Sequence, residues 1–252
     1  MAFLLLFAAL TRSVTGETLA PNNWVNNPFC PNQNYLLVGA DSASPSFKLQ
    51  GNQRGTLYAN SLVGTPLKLA HVGDAISCSG QVTLAGDINP DGDMQFRFGL
   101  YYQGTNTTDT NWLGYTFGNP TGPGGGAATG LFVRNNPSPG VYASGSAGNA
   151  MRPPCGAYSY SQGWSAGTYD FSLAVTLLAP KTHQISWRLT GVAPNTYKYS
   201  GTYTNNFELT VPPAFDQVGF MGGAALFNSA SASDSIRLKD VSVMFGKQPE
   251  PQ

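Results

Sequence analysis

The chain has 252 residues, a formal net charge of zero and only 10% charged residues. It lacks the surplus of lysine and arginine needed to neutralise phosphates, so nucleic acid is not expected as a partner. A hydrophobic fraction of 41%, with 30 glycines and 18 prolines, argues against disorder and for a turn-rich core, and all-β sandwiches reach this length as one domain.

Residues 1–16 read Met1-Ala2, an apolar run from Phe3 to Leu10, then a short polar stretch to Gly16. The run is too short to cross a bilayer but fits the core of a signal peptide, with Val14 and Gly16 small enough for cleavage after Gly16. The expectation is a secreted or cell-surface protein with no transmembrane segment in the mature chain. Residues 17–59 should supply N-terminal strands and loops, residues 60–246 the core of the sandwich, and residues 247–252 a polar tail.

Period-two alternation then marks the strands. Ile76, Cys78, Gly80, Val82 and Leu84 share one face, and Pro90-Asp91-Gly92 supplies a turn. Met94, Phe96, Phe98, Leu100 and Tyr102 alternate next, followed by Tyr169 to Leu177 and by Ile185, Trp187 and Leu189. Gln217 to Met221 and Ile236 to Phe245 read as the last strands. No window carries a capped 3.6-residue period, so helices should be scarce. Strands at this spacing without a βαβ rhythm predict an all-β, antiparallel β-sandwich of jelly-roll type, as a single domain. The glycine- and proline-rich stretches 119–130 and 135–156 read as long connections.

Cys30, Cys78 and Cys155 allow one disulfide; Cys78 sits in an alternating strand and should be buried, which leaves Cys30 with Cys155 as the pair to expect in an exported chain. Asn106-Thr107-Thr108 is a glycosylation sequon in a eukaryotic secretory host.

Carboxylates constrain the chemistry. The glutamates are Glu17, Glu208 and Glu250, two of them in terminal segments, so the paired carboxylates of ordinary glycoside hydrolysis are hard to place. The two histidines, His71 and His183, are not set in a serine-hydrolase pattern, and no Gly-x-Ser-x-Gly elbow exists. Asp87, Asn89, Asp91 and Asp93 place oxygens at alternate positions and resemble the first half of a calcium loop, so a structural calcium is a candidate; a hairpin turn explains the same residues. Aromatics cluster in loop-like sequence, with Trp112 near Tyr115, Tyr158 and Tyr160 near Trp164, and Tyr197, Tyr199 and Tyr203 together. Such rings can serve as flat platforms for sugars or as cover for the ends of a sandwich. Period two also puts Gln95, Arg97, Tyr101 and Gln103 on one polar strand face, opposite Phe96, Phe98 and Leu100.

The segments 71–76, 95–101, 215–220 and 235–241 together resemble a concanavalin A-like, laminin-G-like jelly roll of exported bacterial proteins, over residues 60 to 246. The resemblance implies that fold and a polysaccharide or glycan partner. The stretch from Arg97 to Gln103 is similar to the Lys-Ala-Gly-x-Tyr-x-Gln strand of jelly-roll alginate lyases, although it lies earlier in the chain and their other motifs are missing. That match would make Tyr101 an acid/base, with His183 as second proton carrier and Gln95, Arg97, Gln103, Arg134 and Arg188 on a uronate. Three functions are therefore expected candidates: a carbohydrate-binding or surface-associated module that uses Trp112, Tyr115 and Trp164 with the polar face; a polysaccharide lyase acting by β-elimination; and a structural exoprotein or adhesin subunit.

Overall fold

The computed structural model describes residues 15–19, 21–26, 35–39, 44–49, 57–91, 95–102, 113–119, 131–134, 158–161, 163–205, 213–223, 225–229, 231 and 233–247. These form strands β1 (Thr15–Leu19), β2 (Asn22–Asn26), β3 (Tyr35–Gly39), β4 (Ser46–Leu49), β5 (Leu57–Lys68), β6 (Ala75–Ala85), β7 (Phe96–Tyr102), β8 (Leu113–Gly118), β9 (Leu131–Arg134), β10 (Tyr158–Ser161), β11 (Gly167–Ala179), β12 (Thr182–Gly191), β13 (Lys198–Asn205), β14 (Ala214–Gly222) and β15 (Ser235–Lys247). Among the described residues no helix is long and apolar enough to cross a membrane. Residues 1–14 of the leader expected over 1–16, Cys30, Cys155, the sequon and residues 248–252 of the tail lie outside the described residues, whereas Thr15 and Gly16 stand in β1 opposite Lys247 and Gly246 of β15.

All pairings are antiparallel and build two sheets. The larger, of nine strands, runs β10-β13-β12-β11-β6-β15-β4-β3, with β1 pairing separately along the end of β15. The smaller, of six, runs β2-β5-β14-β7-β8-β9. Thr15 lies opposite Lys247, and Gly246 opposite Ala75, so the first and last strands meet at the Ala75 end of the large sheet.

Alternation decides which side chains enter the core. Ile76, Cys78, Val82 and Leu84 on β6, Phe171, Leu173 and Val175 on β11, and Ile185, Trp187 and Leu189 on β12 are buried against Phe96, Phe98, Leu100, Tyr115, Phe117, Val218 and Phe220 of the small sheet. Rings join the layers: the centroids of Phe98 on β7 and Phe171 on β11 are 4.4 Å apart. Phe220 on β14 meets Trp24 of its own sheet at 5.6 Å and Phe47 of the other at 5.1 Å. Such contacts add about 0.5–1.5 kcal/mol each beyond the area they bury. Cys78 is a free thiol in this core, and burial pushes its pKa up.

A single irregularity keeps β15 in phase. Lys239 lies opposite Gln81 and Ser242 opposite Ser79, so Asp240 and Val241 together oppose Gly80 in a β-bulge. Leu238, Val241 and Val243 can then all be buried, which strict alternation from Leu238 would forbid. Asp240 takes φ 53°, the left-handed region open to Gly, Asn and Asp at low cost. Gly80 is the necessary partner, because a β-carbon there would lie 3.0 Å from the Lys239 carbonyl oxygen and 3.0 Å from Cζ of Phe171.

The bulge makes a stability prediction. Asp240→Val should lower unfolding stability by about 1–2 kcal/mol, because a β-branched residue resists positive φ, whereas Asp240→Gly should stay within about 0.5 kcal/mol of the parent. Urea midpoints at constant slope would measure both, and equal losses would mean that backbone conformation at 240 is not what matters.

Candidate functional site

The polar face expected on β7 is the outer face of the small sheet, and it is closed. Tyr101 is 0% exposed; its hydroxyl is hydrogen-bonded to Thr116 on β8, and its ring lies across Gly99 and Gly114, where a β-carbon would collide with it. Gly219, Gln217 and Thr116 beside it are also buried. The Arg97 guanidinium carbon sits 5.3 Å from the Phe132 ring centroid, a cation–π contact, and Gln95 Oε1 accepts from the Ala225 amide at 3.2 Å. Arg134 ends β9 opposite Gly114. Gln103 and Trp112 lie outside the described residues.

His183 points the other way, into the space between the sheets. It is 0% exposed, and Nδ1 lies 2.7 Å from the Tyr115 hydroxyl, which also accepts from Asn205 Nδ2 at 3.1 Å. The Tyr115 hydroxyl thus bonds both His183 and Asn205 inside the core. Among the described residues no acceptor reaches Nε2. Burial pushes the His183 pKa down to about 4 and the Tyr115 pKa up. The two groups that β-elimination would require, Tyr101 and His183, are thus both buried and face opposite sides of the small sheet. The lyase arrangement is not assembled, because strand alternation sends position 101 outward and position 183 inward.

The aromatics expected on loops are instead mostly structural. Tyr115 is on β8 and Tyr199 on β13, with both side chains in the core. Trp164 is 2% exposed and packs 4.7 Å from Tyr169 and 5.3 Å from Tyr197, centroid to centroid. The Tyr169 hydroxyl then ties two loops together: it accepts from the Ser165 amide at 3.0 Å and from Asn195 Nδ2 at 2.7 Å, and donates to the Ser165 carbonyl. Trp164 and Tyr115 therefore offer no platform for a sugar.

The oxygen-rich stretch at 87–93 is engaged in turns. The Asp87 carboxylate accepts from Asn228 Nδ2 at 3.1 Å and Ser229 Oγ at 3.2 Å, and Asn89 Oδ1 accepts from the Asp91 amide at 3.0 Å in an Asx turn. Asp93 lies outside the described residues. Among those described, no three His, Cys, Asp or Glu side chains gather as ligands; the segment joins β6 of the large sheet to β7 of the small one, so it is a crossover with a local turn between Asn89 and Asp91 and not the hairpin expected from the sequence.

The open polar surface is the outer face of the large sheet. Outward positions there are Ser77, Ser79, Gln81 and Thr83 on β6, Thr168, Asp170 and Ser172 on β11, and Ser186, Arg188 and Thr190 on β12, at least partly exposed throughout. Register lines them up: Ser172 faces Ser79 on one side and Arg188 on the other, and Asp170 lies between Gln81 and Thr190. Around them is a shallow cleft of about 380 Å³, rimmed by Ser79, Gln81, Asp170, Ser172, Arg188 and Asp240, with Gly80 and Phe171 at its base. The bulge brings Asp240 to the rim of this hollow. Gln81 Nε2 donates to Asp170 Oδ1 at 2.9 Å, and Arg188 Nε donates to Thr190 Oγ1 at 3.0 Å, so both longer groups are held in place. Among the described residues Arg188 forms no ion pair. A second cleft of about 540 Å³ adjoins it, shares Gln81, and is bounded by the loops at Ser165–Thr168 and 192–195 that Tyr169 ties together.

No protein-family model and no curated protein sequence matches this chain. Solved structures do match. Arcelin-5, a lectin-like defense protein from Phaseolus vulgaris, is 10% identical and aligns over 94% of this chain and 99% of its own, with TM-score 0.52. Lectin I from Ulex europaeus, solved with the methyl glycoside of α-L-fucose, is 11% identical over 93% and 98%, with TM-score 0.50. The fold is a concanavalin A-like jelly roll. Identity this low carries the architecture and no residue role.

The buried His183 generates a pH prediction. Its pKa is about 4 folded against 6.5 for a free imidazole, so the unfolded chain takes up the proton first as pH falls. Stability should be complete above pH 6.5 and decline toward pH 4, by about 3 kcal/mol in total from this residue. Denaturant titrations across that window should show His183→Gln losing the slope; an unchanged slope would place the titrating group elsewhere.

Proposed function

We propose that this chain is a non-catalytic carbohydrate-binding module of an exported or surface-associated protein, with its site on the outer face of the large sheet. The carrying observation is the cleft around Arg188, where a guanidinium, two carboxylates, an amide and two serine hydroxyls surround one hollow. Sugar hydroxyls need donors and acceptors in close alternation, and these side chains supply both. Rigidity supports the reading, because strand positions lose little entropy on binding. The shared architecture with plant lectins, one of them solved with a fucoside, is consistent with it. Export rests on the apolar run Phe3 to Leu10. The burial of Tyr101 and His183 on opposite sides of the small sheet is why a lyase is not proposed.

The test is retention on immobilised neutral glycans and uronate polymers, with parallel assays for reducing ends and for the ultraviolet absorbance of unsaturated uronates. Retention on at least one polymer is expected, without product in either assay. Arg188→Ala should weaken that retention about tenfold with an unchanged melting temperature, since the side chain is exposed. Product formation, or retention indifferent to Arg188, would sink the proposal.

A further inference from the structure

The two clefts on the large sheet lie end to end, and their chemistry differs in a way that defines a ligand. Both flank β11: the first at Asp170 and Ser172, the second at Gly167 and Thr168. Outward side chains at 168, 170 and 172 follow one another along a single strand face, so the hollows open on the same side. Gln81 borders both, and its hydrogen bond to Asp170 fixes it at the junction. Thr83 and Thr168, their hydroxyls 2.9 Å apart, continue the polar floor beyond it. From Ser172 to Gly167 the strand advances roughly 17 Å, longer than one sugar ring and enough for several linked rings.

Charge separates the two parts. The first cleft carries Asp170, Asp240 and Arg188, so carboxylates outnumber cations. The second holds no charged side chain; Gln81, Ser165, Thr168 and Asn195 supply its polar groups, beside Val192 and Pro194. A ligand with a carboxylate on every ring would meet repulsion at Asp170 and Asp240 and no compensating cation in the second cleft. A neutral, hydroxyl-rich chain meets acceptors and donors along the whole path, and apolar contacts at Val192 and Pro194.

Building on the proposed glycan-binding role, we infer that the two clefts form one groove that binds an internal stretch of a neutral polysaccharide, several sugars long, rather than a single terminal sugar. Each additional ring adds contacts without a new loss of overall freedom, so affinity rises with chain length until the groove is full. The Arg188 end anchors the chain and the loop at Ser165–Thr168 receives its extension.

The experiment is calorimetric titration of the whole protein with malto-, cello-, laminari-, manno-, xylo- and chito-oligosaccharides of increasing length, and with oligouronates. One neutral series should gain about tenfold or more in affinity between monosaccharide and the longer oligomers, and oligouronates should bind more weakly. Ala166→Trp fills the second cleft from an exposed position and should abolish the gain with length while leaving the shortest ligands unaffected. A monosaccharide that binds as tightly as its longer oligomers, a length gain that survives Ala166→Trp, or preference for uronates would overturn the inference while leaving glycan binding intact. Absence of binding to every probe would overturn both.

Discussion

An inward-facing position without a side chain organises the centre of this molecule. Gly80 lies on the core face of β6, and the space it leaves is taken by the Phe171 ring, which in turn meets Phe98 from the opposite sheet at 4.4 Å. Across the next strand boundary the same gap faces the β15 bulge, where the Lys239 carbonyl and the Val241 backbone approach as closely as a β-carbon at position 80 would allow. Core packing and the phase of β15 therefore share one cause. Any larger residue at position 80 would disturb both, because protein interiors are packed too densely to absorb even a methyl group without movement.

The two sheets divide their roles by what covers them. On the small sheet, Gly99 and Gly114 let Tyr101 lie flat, and the face around it is buried. On the large sheet, serines and threonines alternate with core residues over β6, β11 and β12, and short hydroxyl side chains keep the surface level and wet. Level, hydrogen-bonding and rigid is the combination suited to a flat polar ligand. The Tyr115, His183 and Asn205 set, by contrast, is a polar tie inside the core that links β8 to β12 and β13. A buried network of this kind is costly if half satisfied, and the open Nε2 of His183 makes it the acid-sensitive point of the fold.

Much of the architecture was legible in period-two patterns. β6, β7, β11 and β12 have clean apolar alternation, β14 and β15 keep it only on either side of a register break, and the inward residues of all six are in the core. The strands that escaped notice dilute that signal. β5 contains Asn60, Gly64 and Pro66; β13 is Lys, Ser, Thr and Asn around its tyrosines; and β8 places glycine at every position flanking Tyr115-Thr116-Phe117 except the first. Tyrosines in such company read as loop residues, whereas pairing in the sheet buries them. The site was less legible for a different reason. Arg188 was expected only as one of several uronate contacts; Gln81, Asp170 and Asp240 become its neighbours through register, and the bulge that brings Asp240 to the rim shows in the sequence only as a Lys-Asp break before Val241. The outward position of Tyr101 followed from alternation; its burial depended on the glycines at 99 and 114.

The antiparallel match of Thr15 to Lys247 has a consequence for how the fold can be used as a part. Whatever polypeptide precedes the one and follows the other leaves from a single corner, at the Ala75 end of β6, whereas the grooved surface runs toward Leu84 and the Asn195 loop. Neighbouring domains hung from that corner would stand clear of the groove, and the adjacent chain positions could be joined to make a circular permutant opened at a distant turn. Hung from that edge, the sandwich would leave the opposite end of its large sheet clear.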